Sequence, residues 1–517
     1  MHHCHNFGQQ IYPSYNALIV PIRVQYRALL NMLFILACLY ILHSATSAAP
    51  ISHVLRDAMP STLDSASSQC VCSSQERSLW DILWSCLATI FACTWVSVHP
   101  NIPPSREPQW KTWLRRLELM SWALIAPELI VLWAMKQWFG ARTMVNKYHG
   151  HGWTKTHAYF IQMGGFTLFE GGKPKEVLLP GKMENLLLTG QIELPQISEE
   201  EIHDRSKGGG LSKTLVIGQT SWFVAQCIAR RAQGLVLTEL ELVTCAFAVL
   251  NGVMYFLWWN KPLDVRFSVP VHLLDQPKPK EARFKFKSAK KSVITRSPWD
   301  TMFFFISIVS LNFLAPLETL ISKTKGRNMK APQGAVTIIT TFPRRAISAF
   351  FSRLADIADI DYTSNNLLNI AGSVPTVSTF YASIEYTSRT TDKVLIPSLT
   401  SIIAALFGGL HCAAWFFAFP SHTELMIWRI CSAVISISPL GMLSFFIVAF
   451  YNGKAKFNSR LEKLFHTLEP LFSIFVLLLP VYAIARLLLL GEAFAALRYL
   501  PPDALTVVEW LSFLPHV

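Results

Sequence analysis

Six ionisable residues lie inside or at the ends of long apolar runs: Asp81, Glu128, Glu318, His411, Arg429 and Arg486. A charge placed in hydrocarbon costs about 2.5–3.5 kcal/mol on insertion scales, so each needs a partner, a water-filled path or the reach to headgroup water. Together they are the candidate lining of a substrate or ion pathway. Glu128 is the sharpest of them. It falls in mid-run directly after Pro127, whose missing amide hydrogen interrupts helical bonding. A broken helix beside a carboxylate offers freed carbonyls and a charge, the parts from which transporters assemble ion sites. The competing reading is a buried ion pair with Arg486 or Arg429. Glu318 lies near the end of its run, where Pro316 bends it into a pocket or toward the surface. Asp81 and Arg429 also sit near run ends, within reach of headgroup water.

Other reactive side chains give weaker signals. His149, His151 and His157 have the spacing H-x-H-x5-H, which can gather three imidazoles on a turn for zinc or copper. No nearby cysteine completes the set, and histidines beside Gly150 and Gly152 are also ordinary turn residues. Cys70 and Cys72 form a C-x-C pair in a polar segment, while Cys86, Cys93, Cys245, Cys412 and Cys431 read as small packing residues within apolar runs. No Walker A loop, nucleophile elbow, H-E-x-x-H or G-x-G-x-x-G occurs, so no catalytic residue and no cofactor are assigned.

The elements that must position these groups are seven apolar stretches: Leu79–Val98, Leu117–Trp138, Glu239–Trp259, Trp299–Leu320, Ile396–Phe419, Leu425–Phe450 and Leu471–Leu490. Each approaches or exceeds the ~20 residues a helix needs to cross a bilayer. The 517-residue chain is 51% hydrophobic and 15% charged, against about 25% charged in soluble domains. The expected fold class is therefore all-α: a multi-pass α-helical membrane protein with about seven spans after a signal peptide, and a small extramembrane module. Arg23 and Arg27 precede the apolar run Leu29–Leu42, and small residues follow from Ser44 to Ala49. That is a signal-peptide pattern, with cleavage expected within Ala45–Ala49 and an uncleaved anchor as the alternative. It directs the chain to a membrane of the secretory pathway.

The expected organisation is a signal region at 1–49, two spans within 50–138 and a module with an amphipathic helix at 139–238. Further spans with a basic loop at 261–298 fill 239–320, a polar Ser/Thr-rich loop occupies 321–395, and the C-terminal spans lie in 396–517. Net charge is +13, and Lys261–Arg296 alone carries ten Lys/Arg. The positive-inside rule makes that loop cytosolic and gives it anionic lipid headgroups as partners. No zinc-finger or RNP-like motif accompanies the charge, so no nucleic acid is expected. Parity then needs one span between residues 139 and 260. Glu239–Trp259 fills it and leaves Thr214–Gln233 in the interface, with Gln219, Gln226, Arg230 and Gln233 on one face. The alternative makes Thr214–Gln233 a true span and Leu117–Trp138 re-entrant at Pro127. Within the module, Pro180–Gly190 suits a short helix ended by its glycine, and Ser198-Glu199-Glu200-Glu201 is a capping-box signature.

Several segments resemble a family of fungal polytopic integral membrane proteins with no established activity. They are Leu79–Phe91 with His99-Pro100-Asn101-Ile102-Pro103; Ala126-Pro127-Glu128 with Gln137-Trp138 and Ala141-Arg142; Gly152-Trp153-Thr154 with His157 and Met163-Gly164-Gly165-Phe166; Gln219-Thr220 with Trp222-Phe223 and Gln226–Arg230; and Trp258 with Lys261-Pro262-Leu263-Asp264-Val265. The resemblance implies membrane location and a fungal source, and brings no reaction, substrate or site residue. Function is then read as transporter- or channel-like, against a membrane scaffold or sensor and a lipid-modifying membrane enzyme.

Overall fold

The computed structural model describes residues 76–104, 107–206, 210–275, 377–383, 392–454 and 481–510. The signal region, Trp299–Leu320 with Glu318, the Cys70/Cys72 pair and most of 321–395 lie outside the described residues.

The chain is mostly helical. Helix α1 (Leu79–Phe91) begins on a capping box: Ser78 accepts from the Asp81 amide and the Asp81 carboxylate returns to the Ser78 amide. It continues as a π turn over Ala92–Val96. Helices α2 (Gln109–Ile125) and α3 (Pro127–Tyr148) follow. Leu117–Trp138, expected as one span, is thus two helices. Pro127 cannot donate into α2, so the chain turns at Ala126 and the two axes meet at 111°. Helix α4 (Lys155–Gln162) is buried on nearly every side.

Gly164 (φ +90°) turns the chain from α4 into a small sheet. Strand β1 (Phe166–Glu170) pairs antiparallel with β2 (Lys173–Val177) across Gly171-Gly172, both at positive φ as a tight hairpin turn demands. It pairs in parallel with β3 (Val269–His272). The all-α expectation is corrected here. The aromatic run Ala158–Glu170 divides between a helix and a strand because two glycines interrupt it. Short helices α5 (Pro180–Leu188) and α6 (Glu199–Asp204) come next, α6 capped by Ser198.

Two long helices then form a hairpin, α7 (Gly210–Ala232) and α8 (Glu239–Trp258). The C-terminal part holds α9 (Asp392–His411), α10 (His422–Lys454), a helix α11 over 481–495 and the short α12 (Pro502–Leu505). Among the described residues, four segments are long and apolar enough to cross a membrane: Leu79–Val96, Glu239–Trp258, Val394–Phe416 and His422–Ser444. The α2–α3 pair makes a fifth if it counts as one. Their outer faces carry large apolar side chains, with Trp80 and Trp84 each 75% exposed. One continuous core runs from Ile82 on α1 through Trp133, Phe160 and Trp258 to Leu489 on α11.

Candidate functional site

The 111° break places Glu128 in the first turn of α3. The Arg486 guanidinium and the Tyr482 hydroxyl, one helical turn apart on α11, are the side chains that act on its carboxylate. Arg486 approaches the freed carbonyl of Ile125 on the far side of the break, with Nε 3.4 Å from the oxygen. Its guanidinium carbon lies 4.2 Å from the Phe407 ring centroid and 5.5 Å from that of Phe247. His411 belongs to the same centre. Its ring stacks edge-on against Phe407 at 5.2 Å, and its Nδ1 bonds the Phe407 carbonyl at 2.9 Å.

This centre is under-satisfied. Glu128 Oε2, Tyr482 Oη, Arg486 Nη2 and His411 Nε2 are enclosed and have no hydrogen bond of good geometry among the described residues, although the Tyr482 hydroxyl lies close enough to Glu128 to act on its carboxylate. Enclosed polar atoms without partners cost about 1–3 kcal/mol each, and such groups in native proteins call for a water, an ion or a functional explanation. A carboxylate, a phenol and a guanidinium acting on one another, with an imidazole packed on the same Phe407 ring as the guanidinium, can bind a proton, order water or hold a small charged solute.

Three of the six sequence candidates, Glu128, Arg486 and His411, therefore meet. The others do not join them. Arg429 donates from Nε and Nη2 to the Trp415 carbonyl at 3.2 and 2.7 Å, and so is not the partner of Glu128. Asp81 caps α1. Glu318 lies outside the described residues. Among the described residues no three His, Cys, Asp or Glu side chains gather as for a metal. His157 uses Nδ1 on Thr154, where it completes a helix cap, and Nε2 on the Ile197 carbonyl at 2.7 Å. The H-x-H-x5-H spacing thus serves a turn and a cap.

A second buried polar centre was not foreseen. Lys261 was assigned to the basic loop, yet it is 1% exposed. Its Nζ donates to the His99 carbonyl (2.5 Å), Gln137 Oε1 (2.9 Å) and Asn101 Oδ1 (3.4 Å). It also lies 4.4 Å from the Trp133 ring centroid and 4.7 Å from that of Trp258. Burial pulls its amine well below the usual range; three oxygens and two indole faces work the other way, toward the ammonium. The same network fixes the segment 377–383. Asn101 Nδ2, Gln137 Nε2 and Trp133 Nε1 all reach the Tyr381 carbonyl. Burial, with Lys213 and Lys261 nearby, holds the His99 imidazole well below its ordinary range. Its Nδ1 bonds the Ser97 carbonyl at 2.7 Å and Nε2 has no partner among the described residues. The sequence signal was present: Lys261 directly follows a Trp-Trp-Asn end of an apolar run and precedes a proline.

At the opposite ends of α1 and α8, Arg77 forms a bidentate pair with Glu241 at 2.5 and 3.0 Å. Arg230, fully buried, donates to the carbonyls of Val236, Asp503, Ala504 and Thr506. Arg77 adds Leu505 and Ala504, and residue 76 bridges to Thr506. A cavity of about 230 Å³ lies beside this clasp, lined by Arg77, Asp81, Gln226, Arg230 and Trp510 among others.

A family model described as a family of unknown function (DUF8562) matches residues 50–280 and 374–517. That covers most of the chain, including every segment carrying the resemblance noted above, and the chain belongs to that family. No curated protein and no solved structure matches it.

Proposed function

We propose that this DUF8562 member is a multi-pass integral membrane protein of transporter- or channel-like type, with Glu128, Tyr482, Arg486 and His411 as its ion-handling centre. The observation that carries the proposal is the opposed pair Glu128 and Arg486, enclosed at a helix break among segments of spanning length. Charges at such depth are rare unless they serve a path, and a freed carbonyl beside a charge at a discontinuous helix is a common ion-site design. The wide apolar outer faces, led by Trp80 and Trp84, support a lipid environment.

The finer parts of the reading go with it. Residues 1–49 direct the chain to the secretory pathway as a signal peptide, about seven spans follow, the basic loop meets anionic headgroups, and the source is fungal. The lipid-modifying alternative needs an interfacial His/Asp pair. Asp81 caps α1, His99 joins the Lys261 network and His411 packs on Phe407 beside Arg486, so these three do not form one.

The test is reconstitution into vesicles loaded with a pH-sensitive dye under a potassium diffusion potential. Wild-type protein should dissipate an imposed pH or sodium gradient faster than empty vesicles, and Glu128→Gln should return the rate to the empty-vesicle level. Wild-type vesicles no leakier than empty ones to both ions would overturn the ion-handling role.

A further inference from the structure

Helix α7 fails a hydropathy reading because Gln219, Thr220, Gln226 and Arg230 dilute its apolar content. The sequence therefore placed it in the interface. The geometry points to a different depth: we infer that α7 is a transmembrane span whose outer face meets lipid acyl chains, and that α2 and α3 form a re-entrant pair. This inference rests on the membrane reading above.

The first observation is that three helices share the same two ends. At one end, Arg77 before α1 pairs with Glu241 at the start of α8, and Arg230 at the end of α7 bonds Val236 in the turn between α7 and α8. At the other end, the His99 carbonyl beyond α1 accepts from Lys261 beyond α8. There Lys213 in the first turn of α7 donates to the carbonyl of Trp259 at 3.1 Å. Helix α7 thus runs antiparallel to α8 over its whole length. At 1.5 Å per residue the 23 residues of α7 and the 20 of α8 are about 34 and 30 Å long. If α1 and α8 cross the membrane, α7 between them occupies the same depth.

The second observation is inverted polarity. The buried stripe of α7 is Val216, Thr220, Phe223, Cys227 and Arg230, and Gln219 donates to Thr89 on α1 at 3.1 Å. The outward stripe is Leu215, Gly218, Trp222, Ala225 and Ile228, with Leu215 and Ile228 each 64% exposed and Trp222 54%. An interfacial helix turns its polar face to water. Here Thr220 is buried, Gln219 bonds α1 and Gln226 is half-buried beside the cavity, so the small Ser221 is the exposed polar side chain of the middle turns, and the exposed Thr214 hydroxyl is spent on the Gly210 carbonyl. No charged residue lies between Lys213 and Arg230; Arg230 is spent on backbone carbonyls, and the exposed Arg231 beside it ends the helix on a flexible stem that can reach headgroups.

Connectivity gives the consequence. Helices α1 and α8 point the same way, so the chain between them must return across the membrane an odd number of times. Helix α7 supplies that return. The α2–α3 pair, bent by 111°, then enters and leaves on one side and carries Pro127-Glu128 into the bundle as a hairpin. This puts Lys111, Arg115 and Arg116 on the same side as the basic loop, as the positive-inside rule asks. The ion pair of Arg116 with Asp264 at 3.1 Å already joins those two regions.

The experiment labels single added cysteines with a membrane-impermeant maleimide in sealed, oriented vesicles of the full chain, with Cys70 and Cys72 changed to serine and the remaining background subtracted. The positions are Lys155→Cys, Ala232→Cys and Arg266→Cys, all exposed. The expected result is Lys155 and Arg266 on one face and Ala232 on the other. Lys155 with Ala232 on one face and Arg266 opposite would overturn the inference and return α7 to the interface, while leaving a membrane protein. All three on one face would remove the crossing of α8 itself, and with it the membrane reading on which the inference depends.

Discussion

The Nζ of Lys261 sits 4.4 Å from the centroid of the Trp133 indole, with the Trp258 ring 4.7 Å away on another side. A desolvated cation–π contact is worth about 2 kcal/mol. Lys261→Met would remove it and leave the His99 carbonyl without its donor, at about 1–3 kcal/mol. Gln137 Oε1 keeps the Trp258 Nε1 donor at 3.0 Å, and Asn101 Oδ1 keeps Gln137 Nε2 at 3.2 Å, so neither is orphaned. Relief of the buried charge offsets part of this. The expected outcome is a net loss of about 2 kcal/mol, read as a lower midpoint of thermal unfolding in detergent. An unchanged or higher midpoint would show that the ammonium contributes no net stability.

His99 gives the chain an acid sensitivity whose sign follows from its environment. Its folded pKa is held down by burial and by Lys213 and Lys261, whereas the unfolded imidazole titrates near ~6.5. Below that value the unfolded state binds a proton that the folded state refuses, so stability is fully present above about pH 6.5 and falls as the pH drops toward the depressed folded value. His99→Gln should flatten the decline of the unfolding midpoint between about pH 6.5 and 5. A decline as steep as that of the wild type would assign the acid sensitivity elsewhere.

How far the sequence reached depends on whether a signal was local. Pro127-Glu128 was legible as a broken helix with a charge because proline acts on its own helix, and the need of a buried charge for an opposite one left Arg486 and Arg429 as two candidate partners that the sequence could not separate. Ser198 and Gly190 were legible as caps for the same local reason. The angle at Ala126 was not, since it is set by packing of α2 and α3 against different neighbours. The interior position of Lys261 was not legible either. Its acceptors at residues 99, 101 and 137 are more than a hundred residues away, and a basic residue next to nine other Lys/Arg reads as loop. Helix α7 defeated hydropathy because its larger polar side chains, Gln219, Gln226 and Arg230, turn away from the exposed face, and averaging along a sequence cannot say which face a residue takes.

The Arg77–Glu241 pair closes the ends of α1 and α8, with the two side chains 9% and 3% exposed. Glu241 Oε2 also accepts from the amide and hydroxyl of Thr238 and caps α8. Glu241→Leu would leave a buried guanidinium unpaired, which costs about 3–5 kcal/mol, and would loosen the C-terminal segment that Arg77 and Arg230 hold by its carbonyls. The expected result is faster proteolytic removal of residues after Pro501 together with a large drop in the unfolding midpoint. Replacing both partners, Arg77→Met with Glu241→Leu, should recover most of the midpoint, because no charge is then stranded. Failure of the double variant to improve on the single one would show that the pair is needed for more than charge neutrality.

Helices α9 and α10 cross at Gly408, and the crossing positions His411 for the Glu128 centre. A Cβ on Gly408 would stand 2.7 Å from the Ile435 carbonyl oxygen and 2.8 Å from the Ile435 carbonyl carbon and the Ser436 Cα, all backbone atoms that cannot rotate away. The neighbouring Gly409 has nothing within 4 Å of the same position. Gly408→Ala should therefore force the helices apart at a cost of about 1–3 kcal/mol and strain the Trp428 Nε1 bond to the His411 carbonyl, now 2.9 Å. Gly409→Ala removes a flexible residue from a helix interior without a clash and should be neutral or gain up to about 1 kcal/mol. The pair is measured by unfolding in detergent, with tryptophan fluorescence as a reporter of Trp428. Equal effects from the two substitutions would contradict the close crossing, and with it the route by which α10 fixes His411 beside Arg486.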